Sequence, residues 1–126
     1  MKKFLIAMLL VFAMTAQADN VMTKTQDGTY IVNTTTLAQD VEGYAGATPL
    51  EVHIKKNKIV KVVVLKNQDG PKYNAKVKKQ MLPSYEGMNV KKGTIEDVDA
   101  VTGATFTSKA MQENIRRAVD YYKKHK

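Results

Sequence analysis

The chain contains no cysteine among its 126 residues. That absence excludes disulfides, so a domain of this size rests on its packed core alone. It also excludes a Cys-x-x-Cys-His haem attachment, iron–sulfur ligation, a thioether-linked cofactor and a lipid-modified cysteine behind a leader. Histidine is scarce. His53 and His125 stand far apart, and neither has a neighbour at ligand spacing, which argues against a metal site. A nucleophile triad is equally poorly served, with His53 as its one plausible base. Long apolar runs are missing after the first residues, and there is no internal repeat or low-complexity linker.

What is present begins with a leader. Met1-Lys2-Lys3 is a short positive start, Phe4–Met14 is an apolar run of eleven residues, and Ala16-Gln17-Ala18 is an A-x-A site. This is the pattern of a secretory signal peptide over residues 1–18. The apolar run is short against the roughly 20 residues of a bilayer-spanning helix. The expected location is therefore extracytoplasmic, and periplasmic in part because no lipid-anchored cysteine follows the leader. The remaining 108 residues suit one domain. The formal charge of +8 falls to +6 once Lys2 and Lys3 leave with the leader. Export sets nucleic acid aside as a partner. A phosphate-bearing ligand, an anionic membrane face or an acidic protein fits such a charge, and so does a solvated lysine-rich surface. Lys55, Lys56, Lys58 and Lys61 flank a hairpin, where lysines keep strand edges from pairing with other chains.

The periodicities predict an α+β fold: an antiparallel sheet with a hairpin, packed against two helices. Residues 19–26 are polar and expected to fray. Thr29–Asn33 is β-branched and aromatic and reads as a strand, the one strand of a segment covering 19–42. Two glycines in Val41–Gly46 mark a turn or bulge. Leu50, Val52 and Ile54 alternate with Glu51, His53 and Lys55, a half-buried strand by its period of two. Lys56-Asn57-Lys58 is a tight turn, and Ile59–Leu65 is the second arm of the hairpin. Asn67–Pro71 breaks the sheet. Tyr73, Val77 and Met81 are spaced by four, which predicts an amphipathic helix ending before Pro83. Ser84–Gly87 reads as loop and Thr94–Val98 as a short strand. Met111, Ile115, Ala118, Val119 and Tyr122 form one apolar face of a final helix.

That helix opens on Asp99-Ala100-Val101-Thr102-Gly103-Ala104-Thr105-Phe106-Thr107-Ser108, which holds three threonines and one serine. One hydroxyl would cap a helix; here there are four. Gly103 permits a tight turn and a close backbone approach. A helix N-terminus offers free N–H groups and a partial positive charge, which suits phosphate. The cluster can thus cap, bind a phosphate, or offer a threonine to which a phosphate is attached, with Lys109 one turn away to add charge.

Asp99–Thr105 matches the motif D-x-x-S/T-G-A-T, and in this the chain resembles the FMN-binding domain family. Gly43-Tyr44-x-Gly46, the paired strands, Gly87 and the final helix follow that family's order, so the resemblance runs from about Gly43 to Tyr122 within a domain taken as 43–126. It implies FMN held covalently, through its phosphate, on the hydroxyl of Thr105. It implies a flavin transferase as maturation partner, with FAD as donor and a magnesium ion. It implies an electron-transfer role beside a membrane-bound or exported redox partner, as in the flavin subunits of the sodium-pumping NADH:quinone reductase and Rnf complexes. By the same resemblance, Asp99 binds the magnesium or orients Thr105, or else caps the turn. Thr102 bonds the phosphate or the turn, Gly103 and Ala104 keep the loop small for the transferase, and Thr107 and Ser108 cap the helix and touch the phosphate. Tyr44, Tyr73, Tyr85 and Phe106 are candidates to face the flavin ring.

Two departures stand out. Where many relatives carry an E-T-P-G-like segment, this chain reads Gln68-Asp69-Gly70-Pro71. The complex subunits keep a membrane helix, whereas this leader is cleavable. A second Gly-Ala-Thr, at Gly46–Thr48, lacks the S/T position, since Ala45 stands there, and precedes Pro49, which biases Thr48 toward extended geometry. Thr105 is thus expected to be the sole modified residue. The alternatives are a non-covalent FMN module and a secreted interaction domain without flavin. A self-contained enzyme ranks last, for want of a nucleotide-cofactor fold or an acid–base pair.

Overall fold

The computed structural model describes residues 21–91, 95 and 98–126. The leader lies outside these residues, as does most of the strand expected over 94–98. Ile95 and Val98 are described, and both pack half-buried against the core.

Four antiparallel strands form one sheet in chain order: β1 (Met22–Lys24), β2 (Tyr30–Asn33), β3 (Leu50–Lys55) and β4 (Lys58–Val64). The β3–β4 hairpin closes through Lys56 and Asn57, both at positive φ (52° and 63°). That is the primed turn geometry whose twist matches the flanking strands. A bulge follows: His53 pairs with Lys61 but Ile54 pairs with Ile59, so Val60 is the extra residue, exposed on its strand. Such a bulge bends the strand and increases its twist.

Where fraying is expected, the structure has β1. The Thr25–Thr29 turn returns it onto β2: the Thr25 amide donates to Thr29 O at 2.8 Å, and Asp27 Oδ1 accepts from the Thr29 amide at 3.2 Å. Three residues are too few to show a period of two, so the strand is silent in the sequence. Two strands before residue 43 thus belong to the same sheet as the hairpin.

One face of the sheet is covered by α2 (Thr105–His125), the longer of the two α-helices among the described residues. Val32, Leu50, Val52 and Ile54 point into a single core with Met111, Ile115, Ala118, Val119 and Tyr122. Strand alternation and the helical stripe meet here as their periods require. The Tyr122 ring stands edge-on to Tyr30 with centroids 5.3 Å apart, and its hydroxyl donates to Asn57 Oδ1 at 2.9 Å. Among the buried polar side chains of α2, Asn114 lies mid-helix beneath the sheet. Asn114 donates to Ala110 O at 2.8 Å and to Thr48 Oγ1 at 3.4 Å, and its Oδ1 accepts from the Thr34 hydroxyl. At the far surface, Arg117 bridges Glu113 and Asp40 and donates to Leu37 O at 3.0 Å. The Arg116 guanidinium, then Arg117, pulls Glu113 down to about 2.

The first helix, α1 (Pro71–Gln80), starts after Gly70 at φ +90°, with Pro71 in the first turn. Proline there loses an amide that would be unpaired anyway. It ends at Met81, as Pro83 requires. Leu82–Tyr85 is then a 3₁₀ turn rather than loop, and it places Tyr85 in the core, 2 % exposed. Tyr85 is therefore no part of a ligand-facing surface.

Ile115 is fully buried between helix and sheet. Ile115→Ala is expected to destabilise the domain by about 2–5 kcal/mol. Urea unfolding should show a lower midpoint at unchanged slope.

Candidate functional site

Three segments remote in sequence meet around one carboxylate. Glu42 and Ala47 form an isolated bridge, and the Gly43 amide donates to Gly46 O at 2.7 Å, which closes residues 42–47 into a tight loop. The Tyr44 amide donates to Asp69 Oδ2 at 2.9 Å, and the Ala45 amide to Asp69 Oδ1 at 2.6 Å. A Cβ on Gly43 would collide with the Asp69 carboxylate and press on Thr48 Cγ2, so glycine is required for contact rather than for dihedral freedom. Asp69 is held in turn by its own amide donating to Asn67 Oδ1 at 2.9 Å. Asn67 and Asn74 exchange side-chain bonds at 3.1 and 3.0 Å. From the third segment, the Thr107 hydroxyl donates to Asp69 Oδ2 at 2.5 Å. Burial pushes the Asp69 carboxyl up, but the Thr107 hydroxyl and the amides of Ala45, Tyr44 and Gly46 outweigh it and hold the group below the ordinary carboxylate value.

The first turn of α2 sorts its hydroxyls. Thr107 is buried against Asp69. Ser108 is buried too, and its Oγ accepts from the Val101 amide at 3.0 Å. Both were expected to cap the helix, and neither does. The N-cap residue is Ala104, buried, with no side-chain cap. The reason is tertiary: each hydroxyl has a partner on another segment that the helix start cannot outcompete. The first amides of α2 therefore have no side-chain acceptor among the described residues. Gly103 turns the chain into the helix at φ +86°. Thr102, Gly103, Thr105 and Phe106 are exposed. Asp99 is exposed and makes no hydrogen bond among the described residues, so it does not cap the turn.

The cation at this end is not the expected one. Lys76 of α1 brings its Nζ to 3.0 Å from where a Gly103 Cβ would stand, while Lys109 is exposed and makes no ion pair among the described residues. Sequence spacing could not show this, because Lys76 arrives from the other helix. Asp69 was also missed, read as a residue of a breaker segment. Its signal was an acid directly before Gly-Pro at a helix start.

Beside these groups lies an open cleft of about 260 Å3, lined by Tyr44, Tyr73 and residues 103–107. Tyr44 and Tyr73 meet with ring centroids 5.0 Å apart at 39°. The cleft thus brings together Gly103, Ala104, Thr105 and Thr107 of the expected site. Ser108 sits beneath it, and Asp99 and Thr102 lie outside its walls. Among the described residues, no group of three or more His, Asp or Glu side chains could hold a metal ion.

Open helix amides, a nearby ammonium and an aromatic-walled cleft suit a ligand with a phosphate at one end and a flat ring at the other. The family model for the FMN-binding domain matches residues 43–120. The chain belongs to that family, and FMN is the cofactor this membership supports. No curated protein and no solved structure gave a significant match.

Asp69→Asn is expected to cost about 1.5–3 kcal/mol, the range for hydrogen bonds to a charged group. Because the folded carboxyl titrates below its unfolded value of about 3.9, its contribution is complete above that pH. It is lost as pH falls through the folded pKa. The gap in urea midpoint between wild type and Asp69→Asn should be constant from pH 7 down to about 3.9 and narrow as the pH is lowered further. The other carboxylates are common to both proteins, so the difference isolates Asp69.

Proposed function

We propose that this protein is an exported electron carrier with one FMN bound as a phosphoester to Thr105. Electrons would pass between a membrane reductase and an extracytoplasmic acceptor. The carrying observation is the state of Thr105. It is an exposed hydroxyl on the uncapped first turn of α2, at the edge of the cleft, within the sequence Asp99–Thr105. Export rests on the leader at 1–18. Among the described residues, no helix is long and apolar enough to cross a membrane.

In maturation, Thr105 Oγ1 attacks the FMN-side phosphorus of FAD. The Oγ1–P bond forms, the pyrophosphate P–O bond breaks, AMP leaves and the threonine proton is released. A flavin transferase with magnesium carries this out, since phosphoryl transfer depends on positioning and charge neutralisation. The uncapped amides of α2 and the Lys76 ammonium beside Gly103 would hold the phosphate diester. Asp99, exposed and without a hydrogen bond among the described residues, serves the transferase complex by binding its magnesium or orienting Thr105. Bound FMN accepts two electrons and can release them singly, with its potential tuned by the protein around it.

Thr48 is excluded by burial. It is 0 % exposed, with its Oγ1 against Asn114, so no transferase reaches it in the folded domain. The test is the intact mass of the denatured domain after co-expression with a flavin transferase. The expected gain is one FMN less one water, lost in Thr105→Ala and kept in Thr48→Val. A yellow protein that releases its flavin on denaturation would favour the non-covalent module. A colourless one, with the transferase active on another substrate, would turn the motif back into a helix start.

Asp99→Ala separates the roles of that residue. An exposed residue with no hydrogen bond among the described residues should shift stability by less than about 0.5 kcal/mol. The expected result is an unchanged melting temperature with loading abolished. Full loading would remove Asp99 from the maturation site.

A further inference from the structure

We infer that Tyr44 and Tyr73 form the wall on which the isoalloxazine ring docks, held in register with the attachment point by the Asp69 carboxylate. The inference rests on the flavin reading above and adds the residues that receive the ring.

Tyr44 is 62 % exposed. A large aromatic side chain in that position contributes little to the core, yet the loop beneath it is tightly built. Its backbone is pinned by the Glu42–Ala47 bridge, by the Gly43–Gly46 bond and by two amide bonds to Asp69. The steric demand at Gly43 fixes the approach of the carboxylate. Rigid backbone under an exposed ring is what a preorganised contact surface requires. Tyr73 supports Tyr44 from α1, half-buried, at 5.0 Å between centroids. Both rings line the cleft that Thr105 borders. The same Asp69 oxygen that accepts from the Tyr44 amide accepts from Thr107, two residues after Thr105. Ring wall and tether are therefore set by one group.

The cleft, at about 260 Å3, falls below the ~300–1,000 Å3 of pockets that enclose a drug-sized ligand. It takes one face of the ring and leaves an edge or face to solvent, as electron exchange with a partner needs. A tether on Thr105 also raises the local concentration of the ring at the wall, to the millimolar range for a short flexible link. Aromatic contact worth ~0.5–1.5 kcal/mol beyond burial then suffices to keep it docked.

Flavin fluorescence reads this contact directly. An excited isoalloxazine ring in contact with a phenol takes an electron from it and returns it without light, with no net chemistry. Wild type, Tyr44→Leu and the double variant Tyr44→Leu/Tyr73→Leu are loaded, and full loading is verified by intact mass. Emission is then compared folded and in urea. Tyr44 is exposed, so its single variant keeps the fold, which the far-UV melt checks. The expected result is a dim folded wild type that brightens several-fold on unfolding. Tyr44→Leu should be intermediate, and the double variant nearly as bright folded as unfolded. A wild type equally bright in both states, or variants as dim as wild type when folded, would overturn the inference. If the masses show no loading, the covalent reading has failed by itself. The wall is then tested with free FMN titrated onto the folded proteins: quenching by wild type and none by the double variant supports it, and equal behaviour refutes it.

Discussion

A carboxylate with 4 % of its surface exposed carries a large desolvation cost unless its lone pairs are filled. Asp69 meets that condition by drawing donors from two places distant in the chain, the amides of residues 44 and 45 and the hydroxyl of Thr107. Its own segment is braced by the Asn67–Asn74 pair ahead of α1. The constraint runs in both directions. The loop at 42–47 closes because its amides have an acceptor, and the carboxylate stays ionised because the loop and α2 supply donors. Gly43 is small because the oxygen needs the space. The cleft exists between these parts, so its shape follows from the burial of one charge.

The hydroxyls at the start of α2 follow from the same arrangement. Thr107 turns inward to Asp69 and Ser108 to the Val101 amide. With both engaged elsewhere, the helix end keeps its unpaired amides and its positive end open to an anion. Thr105 is exposed, and its side chain makes no hydrogen bond among the described residues. The second Gly-Ala-Thr has the opposite fate. Thr48 enters the Thr34–Asn114 network under the sheet, where its hydroxyl satisfies a buried amide. Two identical triplets, already distinguished by their neighbours, thus also part company by burial.

Much of this domain is legible in residue order. The β3–β4 hairpin, the α1 boundary before Pro83 and the apolar stripe of α2 show in local periodicity and turn chemistry, and the structure has each of them. What stayed hidden was either too short or too distant. β1 has three residues, fewer than a period can register. The 3₁₀ turn that buries Tyr85 looks like loop because proline, serine and tyrosine carry no helical pattern. Lys76 reaches Gly103 from the other helix, and Asp69 reaches Thr107 across 38 positions.

The residues by themselves determined the class of fold, the place where the last helix begins and the motif that marks Thr105, because these depend on interactions within a few positions of the chain. Tertiary structure alone decided which hydroxyls are buried and bonded and which stay exposed, and which acid is buried. It also decided which tyrosines flank the cleft. Each of those outcomes is a competition for hydrogen-bond partners and for space between segments that only meet once the sheet and α2 have packed.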